Sequence, residues 1–236
     1  PPAKVSAPAA RFWQWLAAAL AAVLIIAAVL FFSGVKAPQW FGARAAPDNL
    51  PVYKELTFQK GTIWSARFTS EGQSAVYSAT LNGNALDLFY VNSMTAESRP
   101  FHLPQTQLLS VSSNGEMAIL QPQQYLYQYL NRGTLSVMPV SGGEARTVAE
   151  DVQEADWSPD GEKIVFADAS QDISANDSIT LINPDGTALQ RILISGGKIL
   201  FSPKWSPNGA KIVFYQTNYA YERGQIITIN RDGSGE

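Results

Sequence analysis

Four segments of the sequence superimpose on one another: ARFTSEGQSAVYSA (66–79), LSVSSNGEMAIL (109–120), ADWSPDGEKIVFAD (155–168) and PKWSPNGAKIVFYQ (203–216). Each runs from an aromatic or aliphatic residue through Ser or Thr into a turn ending in Gly, and then into an apolar strand. The turn glycines Gly72, Gly115, Gly161 and Gly209 are spaced by 43, 46 and 48 residues. A second motif follows in phase with the first: DLFYVN (87–92), TLSVMPVSGG (134–143), ITLINPDG (179–186) and IITINRDG (226–233). Asp and Asn tolerate positive φ and Gly prefers it. The turns Pro159-Asp160-Gly161 and Pro207-Asn208-Gly209, and those closing on Gly186 and Gly233, therefore set tight hairpins in a fixed register.

A period in the forties holds four antiparallel strands with their turns, which is one blade of a β-propeller. The expectation is an all-β architecture with four such blades. Trp157 and Trp205, just before their turns, are expected to wedge between adjacent blades. Phe68 takes the same place in the first repeat and Val111 is a smaller occupant in the second. In this reading the motifs build blades and perform no chemistry.

Upstream of the repeats the character changes. FWQWLAAALAAVLIIAAVLFF (12–32) is 21 residues without a charge, and as a helix it would reach about 31 Å, close to the hydrocarbon thickness of a bilayer. Trp13 and Trp15 near one end, with Phe31, Phe32, Trp40 and Phe41 at or beyond the other, have the placement of interfacial aromatic belts. The expectation is one transmembrane helix. A cleaved signal peptide is the competing reading, because Ala43-Arg44-Ala45 has the small-x-small spacing of a cleavage site, but its apolar region would be shorter than this run. Lys4 and Arg11 before the span balance Lys36 and Arg44 after it, so charge does not set the orientation. Residues 1–11 and 33–51 have the Pro, Ala and Gly content of linkers. The expected organisation is therefore a linker (1–11), a transmembrane helix (12–32), a juxtamembrane linker (33–51) and a partial propeller (52–236). Pro1 in place of Met implies that something precedes this chain.

Trp157-Ser158-Pro159-Asp160-Gly161-Glu162-Lys163-Ile164-Val165-Phe166, repeated in kind from Trp205 to Phe214, is similar to the repeat of TolB-type β-propellers. Residues 56–92, 108–120, 133–146 and 151–162 resemble more closely the extracytoplasmic propellers of bacterial membrane proteins. In those proteins a cytoplasmic serine/threonine kinase domain, or a winged-helix DNA-binding domain of the CadC type, is joined to the propeller by one span. The resemblance implies an N-in, C-out topology in the bacterial inner membrane, with residues 1–11 cytoplasmic and the propeller periplasmic. It also implies a ring of six to eight blades, of which four repeats are present. An arc open at both ends would expose apolar blade faces and aggregate as an isolated piece. The second repeat departs from the pattern, having Ser113-Asn114 for Pro-Asp and no Trp, so a less regular blade is expected there.

Composition narrows the chemistry. With no Cys and a single His102, the chain has no thiolate metal site or Cys nucleophile, and neither a Ser-His-Asp triad nor a multi-His zinc site is expected. Kinase, Walker and Gly-x-Ser-x-Gly motifs do not occur. From Asn49 onward there are 13 Lys+Arg and 19 Asp+Glu, a net of −6, which disfavours nucleic acid as a partner of the propeller. No cofactor is expected. Asp168, Asp172 and Asp177 are the weak candidates for a Ca²⁺ site, although a solvated acidic loop accounts for them as well. Asn176-Asp177-Ser178 is formally a glycosylation acceptor. Tyr125, Tyr127 and Tyr129 alternate, so in a strand they share a face that either packs or binds a ligand. His102, among prolines, is expected in a surface loop.

Three functions follow from this reading. The first is a membrane-anchored sensory or protein-interaction module, binding a protein or small molecule and carrying no catalysis within these residues. The alternatives are the propeller of a prolyl-oligopeptidase-like peptidase and a TolB-like periplasmic envelope scaffold.

Overall fold

The computed structural model describes residues 9–32, 53–127, 130–168, 177–218, 220 and 223–235. Contacts divide the chain into two units, Pro1–Tyr53 and Lys54–Glu236. The first contains one helix, α1 (Ala9–Phe32). Its described side chains, 14–25 and Val29, are all exposed. Among the described residues no helix is long and apolar enough to cross a membrane.

The second unit is built of antiparallel strands. β1 (Gly61–Phe68), β2 (Ser74–Leu81), β3 (Asp87–Asn92) and β4 (Ser98–Pro100) form one sheet in chain order. A second sheet holds β5 (Gln107–Val111), β6 (Glu116–Tyr127), β7 (Leu130–Pro139), β8 (Arg146–Trp157), β9 (Ile164–Asp168), β10 (Ser178–Ile182) and β11 (Gln190–Ile194). The third holds β12 (Ile199–Trp205), β13 (Lys211–Thr217) and β14 (Gly224–Asn230). The second sheet is two meanders sharing β8. Arg146, Thr147 and Ala149 pair with β7, whereas Glu154 to Trp157 pair with β9. The change of partner falls at Asp151, which adopts φ +58°, a conformation Asp tolerates, and whose carboxylate is held by Arg132. The described strands thus make four successive meanders, the last with three strands.

The repeat motif closes each first hairpin in the same way. Gly72, Gly115, Gly161 and Gly209 donate their N–H to the carbonyls of Thr69, Ser112, Ser158 and Ser206 at 2.8, 3.2, 2.9 and 2.9 Å. Gly161 has φ +72°, where a side chain would be strained. The Ser158 and Ser206 hydroxyls each accept the backbone N–H of the lysine five residues on, at 2.9 Å. In the second repeat Ser112 Oγ accepts from Glu116 at 3.0 Å, so this turn closes like the others despite Ser113-Asn114. The irregularity of that meander lies instead in its long β6–β7 hairpin. The later turns repeat as well: Asp185 accepts from the Thr187 N–H and Asp232 from the Ser234 N–H, both at 2.9 Å.

The core lies between meanders, and a sheet with a neighbour on each side is covered on both faces. Along β9, Ile164 and Phe166 face the second meander with Leu120, Leu135 and Trp157. Val165 and Ala167 face the fourth with Trp205, Ile212 and Phe214. Burial on both faces is why these strands read as continuous apolar runs rather than alternating ones. Trp157 and Trp205 are 5 % and 8 % exposed, each packed against the meander before its own. Phe68 departs from the expectation: it is 68 % exposed, because among the described residues no meander precedes β1 to cover it.

Candidate functional site

The first strands of the meanders, β1, β5, β8 and β12, pack against one another in succession, and an equivalent hydrogen bond joins β5 to β8 and β8 to β12. In the second and third meanders the residue just before the anchor points forward to the next one. Ser110 Oγ accepts the Trp157 N–H at 3.1 Å, and Asp156 Oδ2 accepts the Trp205 N–H at 3.0 Å. The pleat dictates this arrangement, since neighbours along a strand face opposite ways: Trp157 turns back to the second meander and Asp156 forward to the fourth. In the first and fourth repeats the same position is occupied by Arg67 and Lys204.

Four equivalent positions hold Arg67, Ser110, Asp156 and Lys204; Asp156 and Lys204 meet directly, the charge of Arg67 acts on Asp156, and together they form a polar hub. Ser110 is buried, while Arg67, Asp156 and Lys204 keep partial access to solvent. Lys204 Nζ lies 3.8 Å from Asp156 Oδ1 and donates to the Ala155 carbonyl at 3.5 Å. Arg67 spends one N–H on the Ala66 carbonyl at 2.8 Å. Burial pushes the Asp156 carboxyl above the ordinary carboxylate value, against the opposing pull of Lys204, the Trp205 N–H and Arg67. Burial combined with specific charge partners marks a candidate functional group.

Two grooves of about 460 and 400 Å³ open between the third and fourth and between the second and third meanders. Two cations of the first groove serve the scaffold. Lys163 Nζ donates to Asn183 Oδ1 at 2.5 Å, and Arg231 sits over the Trp205 ring at 5.6 Å. Charges from separate meanders also meet at the hub, where Lys204 of the fourth approaches Asp156 of the third.

Of the residues singled out for Ca²⁺, the two described ones, Asp168 and Asp177, face different ways. Asp168 lies on the Phe166 side of β9 and accepts from the Ser178 N–H and hydroxyl. Asp177 reaches the other way, its Oδ2 accepting the Leu200 N–H at 3.1 Å. Asp172, Asn176 and Tyr129 lie outside the described residues, as do the side chains of Tyr125 and Tyr127, whose backbones belong to β6. Among the described residues no group of three or more His, Asp or Glu could hold a metal ion. His102 is exposed, at φ +60°. Sequence reasoning passed over all four hub residues. The signal lay in the alignment, in the column before the anchor, where Arg, Ser, Asp and Lys stand beside apolar neighbours.

No family model and no curated protein matches the chain. Among solved structures it is similar to the oligogalacturonate lyase of Vibrio parahaemolyticus, with TM-score 0.56 and 15 % identity over 75 % of this chain and 52 % of that one. It is similar also to a prolyl endopeptidase, with TM-score 0.53 and 7 % identity over 74 % of this chain and 28 % of that one. A third is the β-propeller domain of Myceliophteria thermophila Cps50 (Swd1), with TM-score 0.52 and 12 % identity over 74 % and 53 %. The chain spans about half the length of the lyase and the Cps50 domain, and less of the endopeptidase. At these identities the likeness concerns the fold, which is all-β and β-propeller-like.

Proposed function

We propose that this chain is a membrane-tethered propeller segment that works as a recognition module of a bacterial signalling protein, engaging its partner at the hub. The convergence of Arg67, Asp156 and Lys204 from three separate meanders carries the reading. A rigid sheet stack holds them, and their chemistry is that of binding: fixed charges and hydrogen-bond donors, with no nucleophile paired to a base. The tether is supported by the charge-free run 12–32, which lies within α1. The TolB-like repeat motif supports an extracytoplasmic propeller that is part of a larger ring, with the output domain on the other side of the membrane. Binding would then act on that output as a coupling free energy between two arrangements of the propeller.

The test places a photoreactive amino acid at Pro159, three residues on from Asp156, or at Leu189, 54 % exposed at the groove between the second and third meanders, in the full chain within native membranes. The expected result is a discrete cross-linked adduct from Pro159 alone. An adduct from Leu189 alone, or from neither, overturns the reading.

A further inference from the structure

Packing between meanders follows one pattern, and both halves of that pattern lie open on the same molecule. Val165, Ala167, Ile179 and Leu181 of the third meander close on Trp205, Ile212, Phe214 and Ile229 of the fourth. By strand register, the fourth meander carries Val213, Tyr215, Ile226 and Thr228 at those same forward positions. Ala167 and Ile179 are 0 % exposed, whereas Tyr215 and Ile226 are 39 % and 78 % exposed. On the rear of the first meander, Phe68 is the exposed counterpart of Trp205.

Part of that rear face is already covered, by a segment outside the sheets. Ile192 and Leu193, on the fourth strand of the third meander, pack on the Trp205 cluster. Leu56 takes the corresponding place in the first meander, against Tyr77 and Val91, the register counterparts of Phe214 and Ile229. Residues 54–60 are fastened at both ends. Lys54 Nζ donates to the Ser93 and Met94 carbonyls, both at 2.6 Å, and the Lys60 carbonyl accepts the Asn82 N–H at 2.7 Å. This strap stands where the fourth strand of a meander behind the first would lie, and the fourth meander has three strands among the described residues.

We propose that a second copy of this chain covers the rear of the first meander with the forward face of its own fourth, and that the reciprocal contact closes two copies into one ring. The contact continues an interface that the chain makes between its first and second, second and third, and third and fourth meanders. Two different faces of one molecule that match each other pair head to tail. In the pair, the strap of each copy lies beside β14 of the other. The chain spans 52 % of the lyase and 53 % of the Cps50 domain, so two copies supply the length of one such propeller. Lys204 has no acceptor for the Phe68 N–H, but Arg67 has none either, and the first and second meanders join through Ser65 Oγ, which donates to the Leu108 carbonyl at 2.8 Å. Pairing depends on concentration: in dilute solution the chain is single and Phe68 stands exposed. It rests on packing alone and does not depend on what the hub binds.

The test uses the full chain in detergent micelles. Sedimentation is expected to give the mass of two chains at high concentration and of one on dilution. The chain has no Cys, so two differently tagged copies, one Phe68→Cys and the other Val213→Cys, are oxidised together, and a disulfide joining the two tags is expected. Phe68→Asp and Ile226→Asp should each weaken association by at least about tenfold, because each takes a charge into the contact, and the control Leu189→Asp by less than about twofold. Thermal unfolding of the diluted variants verifies that the fold persists. One chain's mass at every concentration, a disulfide between two copies of the same variant, closure within a chain that carries both cysteines, or a ladder of masses beyond two chains overturns the closed pair.

Discussion

Asp156 accepts the backbone N–H of Trp205 through Oδ2 at 3.0 Å, across 49 residues of sequence. The bond joins the first strand of one meander to the first strand of the next. Ser110 does the same for Trp157 across 47 residues. A carboxylate in one repeat and a hydroxyl in another thus perform one structural task, which is to satisfy a backbone donor that packing has removed from water. Asp156 adds a charge to that task and therefore belongs both to the scaffold and to the hub.

Removing the acceptor should cost more than removing the charge. Asp156→Ala leaves the Trp205 N–H buried without a partner and is expected to lower stability by about 1–3 kcal/mol. Asp156→Asn keeps an oxygen in place and should lose clearly less. Urea unfolding of the two variants decides, and equal losses would mean that the N–H finds another acceptor.

The same anchor position should be worth different amounts in different repeats. Trp157→Ala opens a cavity between the second and third meanders and is expected to cost about 3–5 kcal/mol. Phe68→Ala, at a side chain 68 % exposed, should stay within about 1 kcal/mol. Comparable losses at the two sites would show that Phe68 is covered in solution.

Two glycines with similar backbones should respond unequally to a methyl group. Gly72 and Gly233 have φ +68° and +86°, so Ala at either bears the left-handed penalty of about 1–2 kcal/mol. At Gly72 nothing lies within 4 Å of the new Cβ, whereas at Gly233 it would meet the Ile192 carbonyl oxygen at 2.4 Å. Gly233→Ala is therefore expected to be the more damaging by at least about 1 kcal/mol, read as a larger drop in the urea midpoint.

Acid should weaken the hairpin turns. Hydrogen bonds from Ser158, Thr187 and Ser234, each joined by a backbone N–H, hold the carboxyls of Asp160, Asp185 and Asp232 below the ordinary value of 3.8. A depressed value in the folded state gives stability that is present above 3.8 and lost as pH falls through the lower folded values. Asp156 has the opposite sign: raised by burial, its contribution is complete below 3.8 and is lost as pH rises through its folded value. The triple variant Asp160→Asn, Asp185→Asn, Asp232→Asn should flatten the decline in Tm below about pH 4. Asp156→Asn should leave that limb in place, and calorimetry across the range separates the two.

The amino-acid sequence by itself determined the local part of this protein. The spacing of Gly72, Gly115, Gly161 and Gly209 and the Ser, Asp and Gly chemistry of each turn specify hairpins whose hydrogen bonds close within about six residues. Nothing distant is needed to form them, so the all-β repeat was legible. What only the tertiary structure decided depends on neighbours. Trp157 is buried and Phe68 is not, though both stand at the same place in the repeat, because burial belongs to the meander in front. Asp168 and Asp177 read as one acidic loop, yet the pleat and the packing send them to opposite faces of a sheet. Arg67, Asp156 and Lys204 are ordinary charges 48 to 137 residues apart. They become one site only when successive first strands pack side by side and exclude enough water for their charges to act on one another.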